Sequence, residues 1–180
     1  MGYELKKSST SNLYKYKNGL NFNLTIGKRK TDIESINQLK LHFYAFANIQ
    51  INNRGYLNIK NESGLLTSKN YLFNELFRIG GANSIRGYNE QSIFTNGYSY
   101  SNVEFRYSLD KSSYLYSITD LGVYKENTNN KIKKLVGIGA GYQFRINNNL
   151  VNLGYVISTN SDTKVKFNNS RLIIKWTSFF

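Results

Sequence analysis

The residues that could perform covalent chemistry are few and isolated. The chain has one histidine, His42, and no cysteine. A histidine-based triad, a multi-histidine zinc centre, a thiolate nucleophile or a disulfide framework therefore has nothing to build on. His42 reads as a polar side chain directed into a wet interior. The 11 Asp and Glu are scattered, with no carboxylate pair spaced for acid–base work. Gly80-Gly81 stands in a long connection and not between a strand and a helix, so it does not form a phosphate-cradling loop. The expectation is a protein that is not an enzyme and uses no metal and no cofactor. One motif has specific chemistry, Ile85-Arg86-Gly87-Tyr88. A guanidinium is a planar fork that can grip a carboxylate bidentately, as Lys cannot. Gly87 permits a backbone angle closed to other residues.

Charge narrows the partners. A formal net charge of +13 points to nucleic acid, anionic lipid or an acidic partner. Lys40, Lys60, Arg106, Arg145, Arg171 and Lys175 alternate with apolar neighbours, which directs them into a wet lumen. Lys131, Lys133 and Lys134 cluster with Lys125 around one connection. They are expected either to meet anionic lipopolysaccharide headgroups or to be simply solvated.

The elements that position these residues follow from a period of two. From Val136 to Ile146 the even positions are Val136, Ile138, Ala140, Tyr142, Phe144 and Ile146, and the odd ones are Gly or polar. The pattern recurs along the chain and predicts eight strands, at about 19–29, 38–52, 55–67, 98–110, 113–124, 135–146, 150–159 and 170–180. Several match the 9–11 residues a tilted strand needs to cross a bilayer. The connections alternate long and short without a break, with the longest at 68–97, as in outer-membrane barrels with tight periplasmic turns and longer outer loops. This predicts an all-β fold, a transmembrane antiparallel β-barrel. It also argues for lipid and against nucleic acid as the partner of the basic charge. A mean hydropathy of −0.48 is compatible, because every second residue can be polar. No run of 18 apolar residues exists, so no membrane-crossing helix is expected. Met1 to Lys7 lacks the apolar core of a signal peptide, which places any export address upstream.

On Phe77-Arg78-Ile79-Gly80-Gly81-Ala82-Asn83-Ser84-Ile85-Arg86-Gly87-Tyr88, the chain resembles the C-terminal barrel region of the BamA/TamA superfamily, the bacterial surface-antigen family of outer-membrane assembly proteins. Its hallmark is Arg-Gly-aromatic after Val or Ile in the sixth outer loop. Phe73 to Gly81 looks like the version common in Bacteroidota-type members. The resemblance covers nearly all of residues 1–180, as one domain with strands from about 19. It implies the last half of a sixteen-stranded barrel, with three strands before the loop and five after. It further implies that the loop folds into the lumen and that Arg86 pairs with Glu104 and Asp120. Arg171 to Phe180, with Ile174, Trp176 and Phe180 on one face, resembles the family's terminal insertion signal and one side of its barrel seam. The usual internal Gly is absent from it, and Lys175 stands near that place.

By resemblance the expected function is folding and inserting outer-membrane proteins by strand pairing at the seam. The alternative is a transporter or pore such as a two-partner secretion exporter, which shares an Arg-Gly-Tyr-type loop. A soluble lipid- or nucleic-acid-binding β protein is a third class. The implied location is the bacterial outer membrane. The implied partners are its lipids, including lipopolysaccharide, client outer-membrane proteins and the N-terminal half of the barrel. Half a barrel leaves open ladder edges, which lipid does not tolerate, and an eight-stranded barrel closed on itself has no room for the 68–97 loop. The chain is therefore expected to need the missing strands.

Overall fold

The computed structural model describes residues 2–8, 17–30, 34–126, 130–160 and 169–179. Among them are eleven strands: β1 (Gly2–Ser8), β2 (Lys17–Lys30), β3 (Ser35–Gln50), β4 (Gly55–Ser68), β5 (Phe77–Ile79), β6 (Ile93–Thr95), β7 (Gly97–Ser108), β8 (Ser113–Lys125), β9 (Ile132–Ile146), β10 (Asn149–Asn160) and β11 (Ser170–Ser178). Nine form one sheet in the order β1-β2-β3-β4-β7-β8-β9-β10-β11, and β5 pairs with β6 separately. Every neighbouring pair is antiparallel. The sheet is a partial barrel, not closed, with β1 and β11 at its two edges.

The eight strands read from the sequence are all present. The ninth, β1, runs from Gly2 to Ser8 and pairs with β2 from Gly2↔Asn23 to Ser8↔Lys17. In Tyr3-Glu4-Leu5-Lys6-Lys7 the alternation is too short and too charged to stand out. Four strands thus precede the long loop in the sheet and five follow it. The short hairpin β5–β6 inside the 68–97 connection is a further addition.

The β3–β4 and β7–β8 turns close on their own side chains. Asn52 Oδ1 accepts the backbone N–H groups of Arg54 (3.0 Å) and Gly55 (2.6 Å). Asp110 accepts the hydroxyls of Ser113 and Ser112 and the Ser112 N–H. These bonds, the Ser113 hydroxyl foremost, hold the Asp110 carboxyl down at about 2.

The register assigns each side chain to a face. Leu20, Phe22, Ile26, Phe105, Leu115, Leu121, Ile138, Leu153, Tyr155, Leu172, Ile174 and Trp176 are exposed on the convex side. The concave side carries Asn102, Glu104, Arg106, Asp120, Gln143, Asn152 and Lys175, which the β7–β11 ladders bring onto one face. Apolar side chains outward and polar ones inward is the arrangement of a barrel wall in lipid, the reverse of a soluble sandwich. The convex face has a polar interruption on β4 and β7. Asn61 donates to Ser101 Oγ (3.0 Å) and Ser63 to Ser99 Oγ (2.8 Å), so these groups satisfy one another.

The packed core lies in the concavity. Ile79 and Ile85 of the long connection are buried against Tyr98, Tyr100 and Leu135 of the sheet. A second cluster joins Tyr114, Tyr116, Ile118 and Val156.

The two faces predict opposite tolerances. Ile138, 60% exposed on the convex face, is expected to cost about 2–4 kcal/mol of bilayer stability when changed to Arg. Gln143→Arg on the concave face should cost far less. Guanidinium unfolding in liposomes reads both; equal losses would mean that the convex face does not meet lipid.

Candidate functional site

The connection from β4 to β7 lies against the concave face and is held at its base, along its arms and at its tip. At the base, Arg29 on β2 sends Nη1 to both Glu75 oxygens at 2.7 Å. Glu75 also accepts the Leu72 N–H at 3.0 Å. Burial raises the Glu75 carboxyl, but the Leu72 N–H, the Gln38 side chain and Arg29 outweigh it, leaving the group below its usual range. The β5–β6 hairpin then forms the arms of the loop, and residues 80–92 form its tip.

At the tip is Arg86. Its backbone N–H and its Nε each donate to Asp120 Oδ2 at 2.8 Å, and Nη2 donates to Asp120 Oδ1 at 2.5 Å. Asp120 is fully buried. Nη1 donates to Glu104 Oε1. The other Glu104 oxygen takes Arg106 Nε at 2.8 Å. Asp120 on β8 is opposite Asn102 on β7, so Glu104 is one concave position away and a single guanidinium spans both acids. A buried carboxylate with three N–H donors and a shared cation is satisfied only as a set. Removing one member strands charge in a dry place.

Close approach makes the set possible. Gly87 has φ +91°, and a Cβ there would stand 2.6 Å from the Ser158 Cβ. A Cβ on Gly137 would meet the Arg86 carbonyl at 2.5 Å. The bare glycine track Gly137, Gly139 and Gly141 on β9 is thus, at its first member, the seat of the loop backbone. The Gly87 carbonyl accepts Ser158 Oγ at 2.7 Å and Arg171 Nε at 3.3 Å. The Tyr88 hydroxyl donates to the Thr159 carbonyl and accepts the Val136 N–H at 3.1 Å. Through Ile85 to Tyr88 the tip therefore touches β7, β8, β9, β10 and β11.

A second set of contacts involves pairings the sequence reading did not foresee. Asn83 receives Lys60 Nζ on its carbonyl at 3.0 Å and Lys175 Nζ on its side-chain oxygen at 2.8 Å. Asn102 Nδ2 reaches the Ser84 carbonyl at 2.8 Å. Beside it, Glu62 accepts Tyr98 OH (3.0 Å), Tyr100 OH (2.6 Å) and His42 Nε2 (3.2 Å). His42 is on the concave face, in contact with an acid. The available signal was parity: Lys60, Glu62, Asn102 and Lys175 all fall on the polar face of their strands. Which of them meet across the barrel interior depends on its curvature.

The other named residues fall elsewhere. Ile174 and Trp176 are on the convex face of β11, 65% and 64% exposed. Phe180 lies outside the described residues. Of the three lysines, Lys131 is exposed in the connection. Lys134 stands at the upper convex face beside Leu121, Val123 and Val136. Lys133, opposite Tyr124, is on the concave side, so parity removes it from the lipid-facing group. Among the described residues no group of three or more His, Cys, Asp or Glu could hold a metal ion. The arrangement positions a loop against the concave face.

A family model, described as haemolysin secretion/activation protein ShlB/FhaC/HecB, matches residues 4–144. That span takes in the strands from β1 into β9 and the whole loop. No curated protein matches the chain.

Arg86→Ala should cost about 3–5 kcal/mol, because Asp120 is left buried and unpaired, and should open residues 69–96 to protease. Adding Asp120→Ala should recover part of that loss, since no charge is then stranded. Gly137→Val should release the loop while leaving the ion pair chemically intact. Unfolding midpoints and limited proteolysis in detergent test this; a protease-resistant loop in all three variants would show that the tip is held by other contacts.

Proposed function

The chain belongs to the haemolysin secretion/activation protein family ShlB/FhaC/HecB, a family of outer-membrane β-barrels in the Omp85 superfamily, and on that premise we propose that it forms the loop-bearing part of a barrel that passes polypeptide across the bacterial outer membrane. The observation that carries this reading is the loop itself. A long segment is held inside a polar concavity by a buried ion network and several backbone contacts. A passive wall does not need such a device, whereas a channel that admits and releases a chain needs a fixed internal element to work against.

Contact with anionic outer-leaflet lipid is part of the proposal. The exposure of Lys134 beside the apolar convex face, with Lys131 exposed in the adjoining connection, supports contact with lipopolysaccharide phosphates.

A second reading, insertion of outer-membrane proteins by strand pairing, is favoured by β11. Among the described residues it pairs on one side, with β10, and Leu172, Ile174 and Trp176 give its convex side an apolar stretch. Strand addition at a ladder edge joins two chains through main-chain bonds. This reading takes client barrels as partners and the remaining strands of a sixteen-stranded barrel as the completing wall.

Depletion of the protein in its host separates the two. Loss of specific proteins from the culture medium, with outer-membrane barrels at normal levels, supports export. Loss of barrels from the membrane supports insertion. Unchanged levels of both, or a protein absent from the outer-membrane fraction, would overturn both readings.

A further inference from the structure

The β5–β6 hairpin has two faces, and the seating of the loop uses one of them. Opposed residues of an antiparallel pair point the same way, and successive ones point oppositely. The register pairs Phe77 with Thr95, Arg78 with Phe94 and Ile79 with Ile93. Phe77 and Ile79 face the sheet. Ile79 is buried against Tyr98 and Tyr100. The Phe77 ring meets Tyr98 edge-on at 5.1 Å, and Lys40 Nζ stands 4.6 Å from its centre. Arg78 and Phe94 therefore point away from the sheet, across the lumen. The Leu66 N–H donates to the Asn96 carbonyl at 2.7 Å, which holds this end of the hairpin at the outer end of β4.

Phe73, from the start of the connection, joins the averted face. Its ring stacks on Phe94 at 4.1 Å, and the Arg78 guanidinium stands 5.1 Å from the Phe94 ring centre. Phe73 is nonetheless 62% exposed, and Arg78 is exposed beside it. Lipid accounts for exposed apolar side chains on the convex face, but it does not reach a ring turned toward the lumen. Arg78 also differs from the arginines that fix the loop and its surroundings. Arg29, Arg86 and Arg106 each contact a carboxylate, whereas Arg78 contacts none among the described residues. The two acids of the connection are engaged elsewhere, Glu75 by Arg29 and Glu90 by the Ala82 N–H.

We propose that Phe73, Phe94 and Arg78 form a contact platform, toward the outer mouth of the lumen, for the extended polypeptide in transit. It engages segments that carry a carboxylate beside an aromatic or large apolar side chain. The inference rests on the export reading and names the chemistry of the chain exported. A cation without a carboxylate attracts an acidic side chain, and exposed rings take aromatic or apolar ones. Contacts of this kind at a hydrated surface are individually weak, which suits a chain that must move on.

The test is photocrosslinking in the host, with p-benzoylphenylalanine in place of Phe73 in the full chain. Depletion first identifies the proteins whose level in the medium depends on this barrel. Ultraviolet adducts from position 73 to those same proteins, identified by mass, are expected, and none from the convex position of Ile138. Arg78→Glu in the same background should lower the adduct yield about three- to tenfold, as exchange of a weak attraction for a repulsion implies. Arg78→Lys keeps the charge and should hold the yield within about twofold. Heat-modifiability on a gel checks that each variant is folded; if Arg78→Glu loses the compact form, Arg78→Gln decides, with a loss of about two- to threefold. Suppose depletion lowers proteins in the medium but position 73 gives no adduct with them, or adducts only with the barrel's own strands or a second copy. The platform is then overturned and the export reading stands. A yield indifferent to the charge at position 78 overturns the platform as well. If depletion leaves the medium unchanged, export itself fails and the platform falls with it.

Discussion

A buried carboxylate cannot be left alone, and around Asp120 that constraint organises the centre of the molecule. The Arg86 backbone and side chain together supply three donors to it. This fixes the loop backbone, and not merely one rotamer, against β8. Once the backbone is there, Gly87 and Gly137 must be glycines to admit it. Tyr88 is then in reach of the β9–β10 ladder, and Ile85 fills the space between Tyr100 and Leu135. The hydrophobic cluster is thus downstream of the ion network. Apolar burial is non-directional and could not by itself choose this seating among others.

The two faces of the sheet answer to different solvents. The convex side uses chain length and apolar side chains where no water is available to satisfy a polar group. The concave side carries the cations, and Glu62, Glu104 and Asp120 on it are each engaged by donors or cations. Polar content is therefore high overall without weakening the reading as a membrane wall, and the high proportion of Tyr fits both sides. Tyr98 and Tyr100 turn their hydroxyls toward Glu62 in the interior, while Tyr107 and Tyr155 stand exposed outside.

Strand positions were legible because a period of two survives any amount of sheet curvature. Val136 to Ile146 could be assigned residue by residue to its two faces. β1 was not, since Glu4, Lys6 and Lys7 dilute its alternation and it gains its identity only from pairing with β2. Arg86, Glu104 and Asp120 were named from resemblance, and the structure brings their side chains within hydrogen-bonding distance. The meeting of Asn83 with Lys60 and Lys175 was out of reach. It joins residues 23 and 92 positions apart across the concavity, a distance no local pattern encodes. Lys133 shows the reverse case: composition grouped it with Lys131 and Lys134, yet parity alone was enough to turn it inward.

The Asn83 contacts have a mechanical side. Lys60 belongs to β4, the last strand before the loop, and Lys175 to β11, at the far edge of the sheet. Between them run β7, β8, β9 and β10. One asparagine therefore acts as a crossbar strung over the chord of an arc of six strands. Flattening that arc lengthens the chord and pulls on the bar, and tightening it leaves the bar slack. Any displacement of β11 is accordingly felt at the loop tip without passing through the intervening ladders, and the curvature of the wall becomes a quantity the loop can sense.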